Sequence, residues 1–317
     1  MDYIVFDLEW NQCPYGKEQE NERLPFEIIE IGAIKLNEQK ERIDEFHQII
    51  HPVVYRKIHF RTREIIGVDM AELDKGEYFQ QAVCNFLRWC GDDYAFCTWG
   101  TLDVMELQRN LKYYGLLAFI QGPVYYYDVQ KLFAVQYETR HERRSLEYAV
   151  DYLGLEKAGE FHLALEDARY TAMVLQTIQD DCIHGNCSID CYQNPKLKED
   201  EIHILYEDYE KYVSREFNTK EEAMHDREVT SMHCVLCRKN AKRKLKWFSN
   251  NAKLHFAVAY CPRHGYLKGK IRIKKTEDDK FFAIKTVKLI SEEEALFIRD
   301  KQSAIRRKRQ RKRHEKM

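Results

Sequence analysis

The sequence predicts an α/β domain built on a mixed sheet, followed by a small β-rich module and a basic C-terminal helix. In residues 1–182, strand-like apolar runs come first, strand and helix patterns then alternate, and helices come last. That order is typical of helices packed on a mixed sheet. After residue 230 the pattern changes to cysteine pairs, basic residues and β-type runs.

The elements of the first domain follow from the period of its apolar residues. The opening run "YIVFDLEW" indicates a strand, and "FEIIEIGAIKL" and "RIDEFHQIIHP", joined by the polar turn "NEQKE", indicate an antiparallel pair. Helices are then predicted at 60–68, 77–89, 103–115, 145–155 and 163–181, with a buried strand at 93–100 and a strand running into a helix over 124–137.

Three further segments complete the predicted organisation. Residues 183–230 are interpreted as a charged, partly helical connector, with a helix favoured in "EIHILYEDYEKYVSREF" (201–217). Residues 231–290 form the β-rich module. Residues 291–317 form a basic helical tail that begins at "SEEE", a helix N-cap signature.

Composition places the chain among globular proteins. It has 317 residues, 44% of them hydrophobic and 32% charged, with a formal net charge of −1. Apolar runs fall short of the roughly 20 residues that span a bilayer. The first residues lack the basic and long apolar regions of a signal peptide. Since several of the ten cysteines occur in metal-like pairs, we expect a reducing, cytoplasmic environment.

Four carboxylates and one histidine stand at the ends of predicted elements. Asp7 and Glu9 alternate on a strand and so share a face, Asp103 follows a strand at a helix start, and His162 precedes Asp167 by five residues. If the acids converge, their repulsion requires cations between them. Oxygen ligands suit Mg²⁺ or Mn²⁺, and two such ions about 3.5–4 Å apart promote in-line attack on phosphodiesters. The histidine would then accept the proton of the attacking water.

Each of these pieces also has an ordinary structural explanation. A D-x-E pair on a strand is commonly surface charge, and an aspartate at a helix start such as Asp103 is commonly a cap. The order and placement of all five residues together favour the catalytic interpretation.

Taken together, these residues resemble the DEDDh branch of the 3′–5′ exonuclease superfamily. Asp7 and Glu9 match its first motif, Asp103 its second, and His162 with Asp167 its third. The stretches "HPVVYRKIHFRTREIIGVDMAEL", "FCTWGTLDVMEL" and "SLEYAVDYLGLEKAGEFHLALEDARYTA" are similar to the branch that contains the histone-mRNA 3′ exonuclease and bacterial sporulation-inhibitor relatives.

The resemblance covers residues 1–182 and implies an RNase H-like fold. It further implies that the four acids bind two Mg²⁺ or Mn²⁺ ions, that the histidine is the general base, and that nucleotides leave a free 3′ end, most often of RNA, as nucleoside 5′-monophosphates. The stretch "WGTLD" departs from relatives that commonly carry a second acidic or polar residue after the glycine.

Two residues next to the first motif are candidate substrate contacts. Trp10 offers an aromatic face on which a terminal base would stack, and Asn11 offers an amide beside the metals. Packing of Trp10 beneath residues 11–24 is an equally good interpretation.

The β-rich module carries the spacing of a zinc site. Cys234 and Cys237 form C-x2-C, and Cys261 and His264 form C-x2-H after a spacer of 23 residues, which predicts a Cys3His zinc centre. The intervening "RKNAKRKLKWF" is basic and aromatic and indicates a nucleic-acid contact. A structural zinc site with a solvated charged face remains the alternative.

The tail is strongly basic over residues 306–316. Such a run binds polyanions through counterion release, so RNA or a ribonucleoprotein is the expected partner. A solvated helix end is the alternative, and a membrane is disfavoured because the apolar face is short.

The sequence therefore predicts a metal-dependent 3′–5′ exonuclease acting on single-stranded 3′ ends, with RNA favoured. Two alternatives stay open. One is a DNA-directed 3′–5′ exonuclease, and the other is a non-catalytic nucleic-acid-binding regulator built on an exonuclease scaffold.

Overall fold

The computed structural model of the chain describes residues 1–138, 142–157, 159–251, 253–276 and 278–314. Within them the chain divides into two compact units, Met1–Gln193 and Asn194–Met317.

The first unit is built on a seven-stranded mixed sheet, as predicted. Its strands lie in the order β4-β3-β2-β1-β5-β6-β7, with β1, β5 and β6 mutually parallel and β1, β2 and β3 antiparallel. The strands are β1 (Asp2–Gln12), β2 (Phe26–Leu36), β3 (Arg42–His51), β4 (Glu77–Tyr78), β5 (Tyr94–Thr98), β6 (Val124–Asp128) and β7 (Ser188–Asp190).

Helices cover both faces of this sheet. They are α1 (Phe60–Ile66), α2 (Met70–Leu73), α3 (Phe79–Cys90), α4 (Leu102–Tyr113), α5 (Val129–Tyr137), α6 (Leu146–Tyr152), α7 (Ala164–Thr177) and α8 (Asp180–Gly185). The helices expected at 60–68, 77–89, 103–115, 145–155 and 163–181 are confirmed, although the last one divides into α7 and α8.

Alternation along β1 assigns its side chains to two separate apolar cores. Tyr3 and Val5 pack in a cluster with residues of α5, α6 and α7, whereas Ile4, Phe6 and Leu8 pack in a cluster with residues of α3 and α4. By the same alternation, Asp7 and Glu9 lie on the α7 side of the sheet.

The first strand does not end at its carboxylates, as the sequence suggested. Pairing of β1 with β5 stops at Val5, but β1 continues against β2 as far as Gln12, with a bulge between Glu9 and Trp10. The two carboxylates therefore lie where β1 has lost one neighbour, so that one side of the strand opens into a cleft.

The second unit is an antiparallel sheet of six strands in the order β10-β11-β12-β13-β9-β8. The strands are β8 (Ile202–Leu205), β9 (Tyr209–Val213), β10 (Lys242–Asn251), β11 (Leu254–Cys261), β12 (Gly265–Lys275) and β13 (Phe281–Ile290), and the helices are α9 (Lys220–His225), α10 (Arg227–Thr230) and α11 (Glu292–His314). The β-rich character predicted for 231–290 is thus confirmed.

The prediction of a helix within 201–217 is wrong. This segment forms β8 and β9, and β9 pairs with β13, so Tyr212 and Val213 are buried in the second sheet. The stretch interpreted as a connector is divided accordingly, with residues 183–193 in the first unit and 194–230 in the second. Glu210 occupies a buried position of β9 where the alternation calls for an apolar residue, and this hid the period of the strand.

The predicted cap of the tail helix is present, since the Ser291 hydroxyl accepts a hydrogen bond of 3.1 Å from the Glu294 amide. Of the basic run at 306–316, residues 315 and 316 lie outside the described residues. In the part of the chain that the structure describes, no helix combines the length and apolarity needed to cross a membrane.

Candidate active site

The carboxylates predicted from the sequence lie around one cleft of the first unit. The cleft has a volume of about 530 Å³. Asp7 and Glu9 reach it from β1, Asp103 from the first turn of α4, and Asp167 from the first turn of α7.

A glycine on β2 allows α7 to lie close enough to complete this arrangement. Gly32 is the register partner of Asp7, and a Cβ atom added there would lie 2.1 Å from the backbone nitrogen of Leu165. The first turn of α7 therefore contacts the β2 backbone directly, and Asp167 is carried to the side of Asp7.

A tight turn fixes the position of Asp103. The hydroxyl of Thr98 donates to the carbonyl of Gly100 over 3.0 Å, and Gly100 has a φ of 108°, a conformation that favours glycine. The chain can therefore leave β5 and start α4 within three residues.

The acids are close enough to interact strongly. One carboxylate oxygen each from Asp7, Glu9 and Asp167 lie within 4.8 Å of one another. Asp103 is 5% exposed, and its charge raises the pKa of Asp7. The four side chains thus form one electrostatic unit, which is named the carboxylate cluster below.

The pKa values of the cluster rise, mainly because burial disfavours the ionised form. Burial and then the neighbouring carboxylates raise the pKa of Asp7 well above its usual range and that of Glu9 to about 9. Burial raises the pKa of Asp103 to about 7 and that of Asp167 to about 6, although backbone amides that donate to them oppose the change. The cleft therefore concentrates more negative charge than the protein itself neutralises.

A divalent cation suits these residues. The Oδ1 atom of Asp167 is buried and has no hydrogen-bond partner among the described residues, although it lines an open cleft. Carboxylate oxygens are the ligands preferred by Mg²⁺ and Mn²⁺. The residues and the unsatisfied oxygen both fit the predicted metal site.

His162 lies at the edge of the cluster, with an exposed side chain. Its backbone amide donates to Asp167 Oδ2 over 3.2 Å, and its charge opposes the rise in the pKa of that carboxyl. Its φ of 70° places a non-glycine residue in the left-handed region, which is uncommon and is often associated with functional loops.

The two residues expected beside the metals have different positions. Trp10 lines the cleft and also packs on Phe26, just outside residues 11–24, at a ring distance of 5.7 Å. Its place in the cleft is compatible with base stacking, which stays a prediction. Asn11 is fully buried instead, and its side chain bonds to the backbone of Tyr55, Lys57 and His59. Its assignment as a substrate contact is therefore wrong, because the amide anchors the segment before α1.

Several cleft residues escaped the sequence analysis. Trp99, Gln130 and Arg143 line the cleft, and the indole nitrogen of Trp99 is buried without a hydrogen-bond partner among described residues. The Arg143 guanidinium donates 2.7 Å to Asp128 Oδ2 and 2.8 Å to Gln130 Oε1, so it is held at the rim. Arg143 lies in an irregular segment before α6, where no periodic signal marks it.

A second pair of residues supports the cluster from β2 and β3. Glu30 is the register partner of Glu9, and the buried carboxylate of Glu30 lies 2.8 Å from His47 Nε2. This hydrogen bond raises the pKa of His47, whereas the Glu30 charge raises the pKa of Glu9. The antiparallel register of β1 with β2 is the signal that would have identified Glu30.

In the second unit, the four predicted zinc ligands converge. The sulfur atoms of Cys234, Cys237 and Cys261 and a ring nitrogen of His264 all lie within 4.8 Å of one another. Cys234 Sγ is 3.3 Å from His264 Nδ1, and Cys237 Sγ is 3.7 Å from Cys261 Sγ. Zinc–sulfur bonds of about 2.3 Å in a tetrahedron imply S···S separations of roughly 3.8 Å.

Local electrostatics favour a thiolate at Cys261, whereas burial raises the pKa of Cys234. Burial opposes ionisation of Cys261, but donors from the Arg263 and His264 backbone and the neighbouring thiols lower its pKa to about 6. Cysteine binds metal as the thiolate. The donor set, the spacing and the charge therefore all fit Zn²⁺.

The aromatic residues beside the basic run pack inside the second unit. Trp247 donates from its indole nitrogen to the Thr230 carbonyl over 2.9 Å and packs beside Gly269, and Phe248 packs in a cluster with α11. Neither ring forms the exposed stacking surface that "RKNAKRKLKWF" suggested, although the lysines of this run are exposed.

Comparison with known proteins gives one family and one fold. Residues 4–175 match the family described as RNase_T, Exonuclease. ERI1 exoribonuclease 2 of Homo sapiens is 25% identical over 207 residues, covering 57% of this chain and 29% of that protein. The 3'-5' exoribonuclease 1 of Rattus norvegicus is 23% identical over 194 residues, covering 57% of this chain and 54% of that protein.

The chain thus spans less than two thirds of the length of these relatives. Among solved structures, the nuclease domain of 3'hExo, described as a DEDDh family member bound to rAMP, superposes with a TM-score of 0.50 at 19% identity. The superposition covers 60% of this chain and 96% of that one. It confirms the RNase H-like fold predicted for the first unit.

Proposed function

The chain belongs to the exonuclease family, and from this premise we propose that it is a metal-dependent 3′–5′ exonuclease acting on free single-stranded 3′ ends, with RNA favoured. It would hydrolyse the terminal phosphodiester bond and release nucleoside 5′-monophosphates. The convergence of the carboxylate cluster in one open cleft carries the proposal. RNA is favoured because the relatives are named exoribonucleases.

The cluster would hold two Mg²⁺ or Mn²⁺ ions through Asp7, Glu9, Asp103 and Asp167. Bound ions of this kind supply a more acidic water and stabilise the charge on the leaving oxygen. Asp7 interacts with all three other acids, since their charges all act on its carboxyl, so its loss would affect the metal site most. Ionisation of the buried acids becomes favourable in the presence of such cations.

His162 would accept the proton of the attacking water. Its hydrogen bond to Asp167 places it next to a proposed metal ligand, and its exposed ring has access to solvent and to an incoming strand. Proton acceptance by an imidazole near neutral pH is favourable because its ordinary pKa is about 6.5.

The remaining cleft residues would position the terminal nucleotide. Trp10 and Trp99 supply aromatic surface, and the buried indole nitrogen of Trp99 is a donor that a nucleotide oxygen would satisfy. Arg143 supplies a positive charge at the rim for the phosphate.

The test compares degradation of 5′-labelled RNA and DNA strands with Mg²⁺ by the wild type, Asp7→Ala and Asp92→Ala. Asp92 is an exposed carboxylate outside the cleft and serves as the matched control. We expect 3′ laddering of RNA by the wild type and by Asp92→Ala, and its loss in Asp7→Ala.

Each other outcome favours a different hypothesis. Laddering of the RNA by the Asp7→Ala variant would contradict the assignment of the carboxylate cluster as the active site. Preference for the DNA strand would favour a DNA-directed exonuclease. Absence of cleavage of both strands would favour the non-catalytic regulator.

We further propose that Cys234, Cys237, Cys261 and His264 bind one structural Zn²⁺, and that the basic tail binds RNA or a ribonucleoprotein. The four ligand atoms within 4.8 Å of one another and the burial of Cys234 and Cys261 support the zinc site. Elemental analysis is expected to give one zinc per chain for the wild type and none for Cys234→Ser. Zinc that remains in that variant would contradict the ligand assignment.

A further inference from the structure

One strand of the second unit carries a line of positive charges on a single face. Along β12, Leu267, Ile271 and Ile273 are buried, so the residues between them point to the opposite side of the sheet. Lys270, Arg272 and the next alternate residue, Lys274, share that opposite side and are named the cationic row here.

The charges of this row are not neutralised within the protein. Lys268, the next residue on the same face, pairs with Glu294 at 2.7 Å. Lys270, Arg272 and Lys274, by contrast, make no ion pair with any residue of the described segments. Burial and then the charges of Arg272 and Lys268 lower the pKa of Lys270. Like charges held this close destabilise the free protein unless an anion lies among them.

The row leads into a pocket of about 490 Å³ at one end of the sheet. Arg272 and Lys274 belong to the cationic row and also line the pocket. A hydrogen bond of 2.9 Å from the Ile273 amide to the Lys253 carbonyl holds the residue before β11 against β12. Besides the two row residues, the pocket is lined by Lys220, Lys253, Leu254, Ile273, Lys275 and Phe281.

The pocket combines cations with an aromatic wall. The Lys220 ammonium lies 5.4 Å from the centre of the Phe281 ring, and Phe281 is only partly buried. Lys275 forms an ion pair with Asp279, so part of the charge is already balanced. Arg272 and Lys274 are left to bind an external anion.

We propose that the cationic row and this pocket form a second nucleic-acid site, which binds the phosphate backbone of a single-stranded RNA. Alternate residues of a strand are about 6.6–6.8 Å apart, comparable to the separation of successive phosphates along one extended strand. Where the row meets the pocket, Arg272 and Lys274 would receive one phosphate of the strand. Phe281, the register partner of Lys275, packs with Ile273 on the opposite face of the sheet. The choice of RNA rests on the proposed exonuclease function.

Single-stranded nucleic acid fits this surface better than a membrane does. Three charges along one line match a linear polyanion, whereas a lipid surface would also require exposed apolar side chains that insert beside them. Leu254 and Phe281 line the pocket wall and are partly buried.

The test measures binding of a labelled 20-nucleotide single-stranded RNA by the full chain in the Asp7→Ala background, without added chelator. The variant Lys270→Gln/Arg272→Gln/Lys274→Gln removes three charges. The matched control Lys196→Gln/Lys198→Gln/Arg227→Gln removes the same residue types from exposed positions of the same unit.

We expect the row variant to bind RNA at least about tenfold more weakly. The slope of log affinity against log salt should become shallower by about 2, because each phosphate contact on a single strand contributes about 0.7. The single variant Arg272→Gln should reduce the slope by about 0.7. The control variant should bind RNA as the parent protein does.

Equal RNA binding by the row and control variants would overturn the inference. Loss of binding to anionic phosphatidylserine vesicles without loss of RNA binding would also overturn it. Cleavage of RNA by the protein with Asp7 intact is measured separately, so failure of the proposed exonuclease function is distinguishable from failure of this site.

Discussion

Arg143 places a positive charge at the rim of a cleft otherwise dominated by carboxylates. Its guanidinium is fixed by Asp128 and Gln130, and it lines the same cleft as the carboxylate cluster. A group held in place before the substrate arrives loses little conformational entropy on binding. Arg143 is therefore suited to contact a phosphate of the terminal nucleotides without acting in the chemical step.

We predict that Arg143→Gln raises KM for an RNA substrate by roughly tenfold, since a hydrogen bond to a charged group contributes about 1.5–3 kcal/mol. The value of kcat should change much less. Steady-state kinetics give both constants. Arg144→Gln is the matched control, because Arg144 pairs with Glu138 and Glu142 outside the cleft. An equal loss of kcat and kcat/KM in Arg143→Gln would contradict a role in binding.

The carboxylate cluster makes stability depend on both pH and metal. The folded-state pKa values are about 6 for Asp167, about 7 for Asp103 and about 9 for Glu9, all above their ordinary values. Without metal, the folded state thus binds more protons than the unfolded state. This contribution to stability is present at low pH and is lost as pH rises through these values.

We therefore predict that Mn²⁺ or Mg²⁺ stabilises the protein more at pH 8 than at pH 5, because cations favour the ionised cluster. Thermal unfolding in metal-depleted buffer, with and without the added ion, measures the difference in Tm. Asp7→Asn should weaken the metal-dependent increase in Tm at pH 8. A metal effect that is the same at both pH values would contradict the assignment of these acids as ligands.

At the scale of elements, the position of α7 determines whether the cluster forms. The helix contacts β2 at Gly32, where the space for a side chain is already occupied by backbone atoms of Ala164 and Leu165. An added methyl group must displace the helix, since backbone atoms cannot rotate away as a flexible side chain can. Displacement would move Asp167 away from Asp7.

We predict that Gly32→Ala lowers the free energy of unfolding by about 1–3 kcal/mol and reduces kcat. Denaturant unfolding and single-turnover kinetics measure the two effects. Gly185→Ala is the control, since no heavy atom lies within 4 Å of a Cβ added there. Wild-type activity in a folded Gly32→Ala protein would show that the contact of α7 with β2 does not position the acid.

The sequence predicted the elements whose apolar period is regular, and the acids that stand at their ends. Asp7, Glu9, Asp103 and Asp167 could be assigned because alternation and element boundaries decide where such side chains point. The strands β8 and β9 were missed because β8 has only four residues and because a buried position of β9 is occupied by Glu210 instead of an apolar residue. Arg143 and the packing of Asn11 depend on long-range contacts, which have no local pattern.

At the scale of the whole molecule, each unit has its own core, and the core of the second contains part of the Cys/His cluster. Cys234 and Cys261 are 0% and 3% exposed and belong to a cluster with Met232, Leu267 and Val287. Both side chains are therefore almost fully buried in the folded sheet. A bound cation would offset the cost of holding buried thiolates together.

We therefore predict that removal of zinc destabilises the second unit selectively. After treatment with a zinc-selective chelator, or in Cys234→Ser, amides of β11, β12 and β13 should lose hydrogen-exchange protection by several orders of magnitude, because structural zinc sites contribute folding free energy directly. Amides of β1 and β2 should keep their protection.

Cys84→Ser, at a partly buried cysteine of α3, is the control and should retain both zinc and protection. Unchanged protection of the second sheet in zinc-free protein would mean that its apolar clusters alone stabilise the folded sheet. In that case the convergence of the four side chains would not contribute to stability.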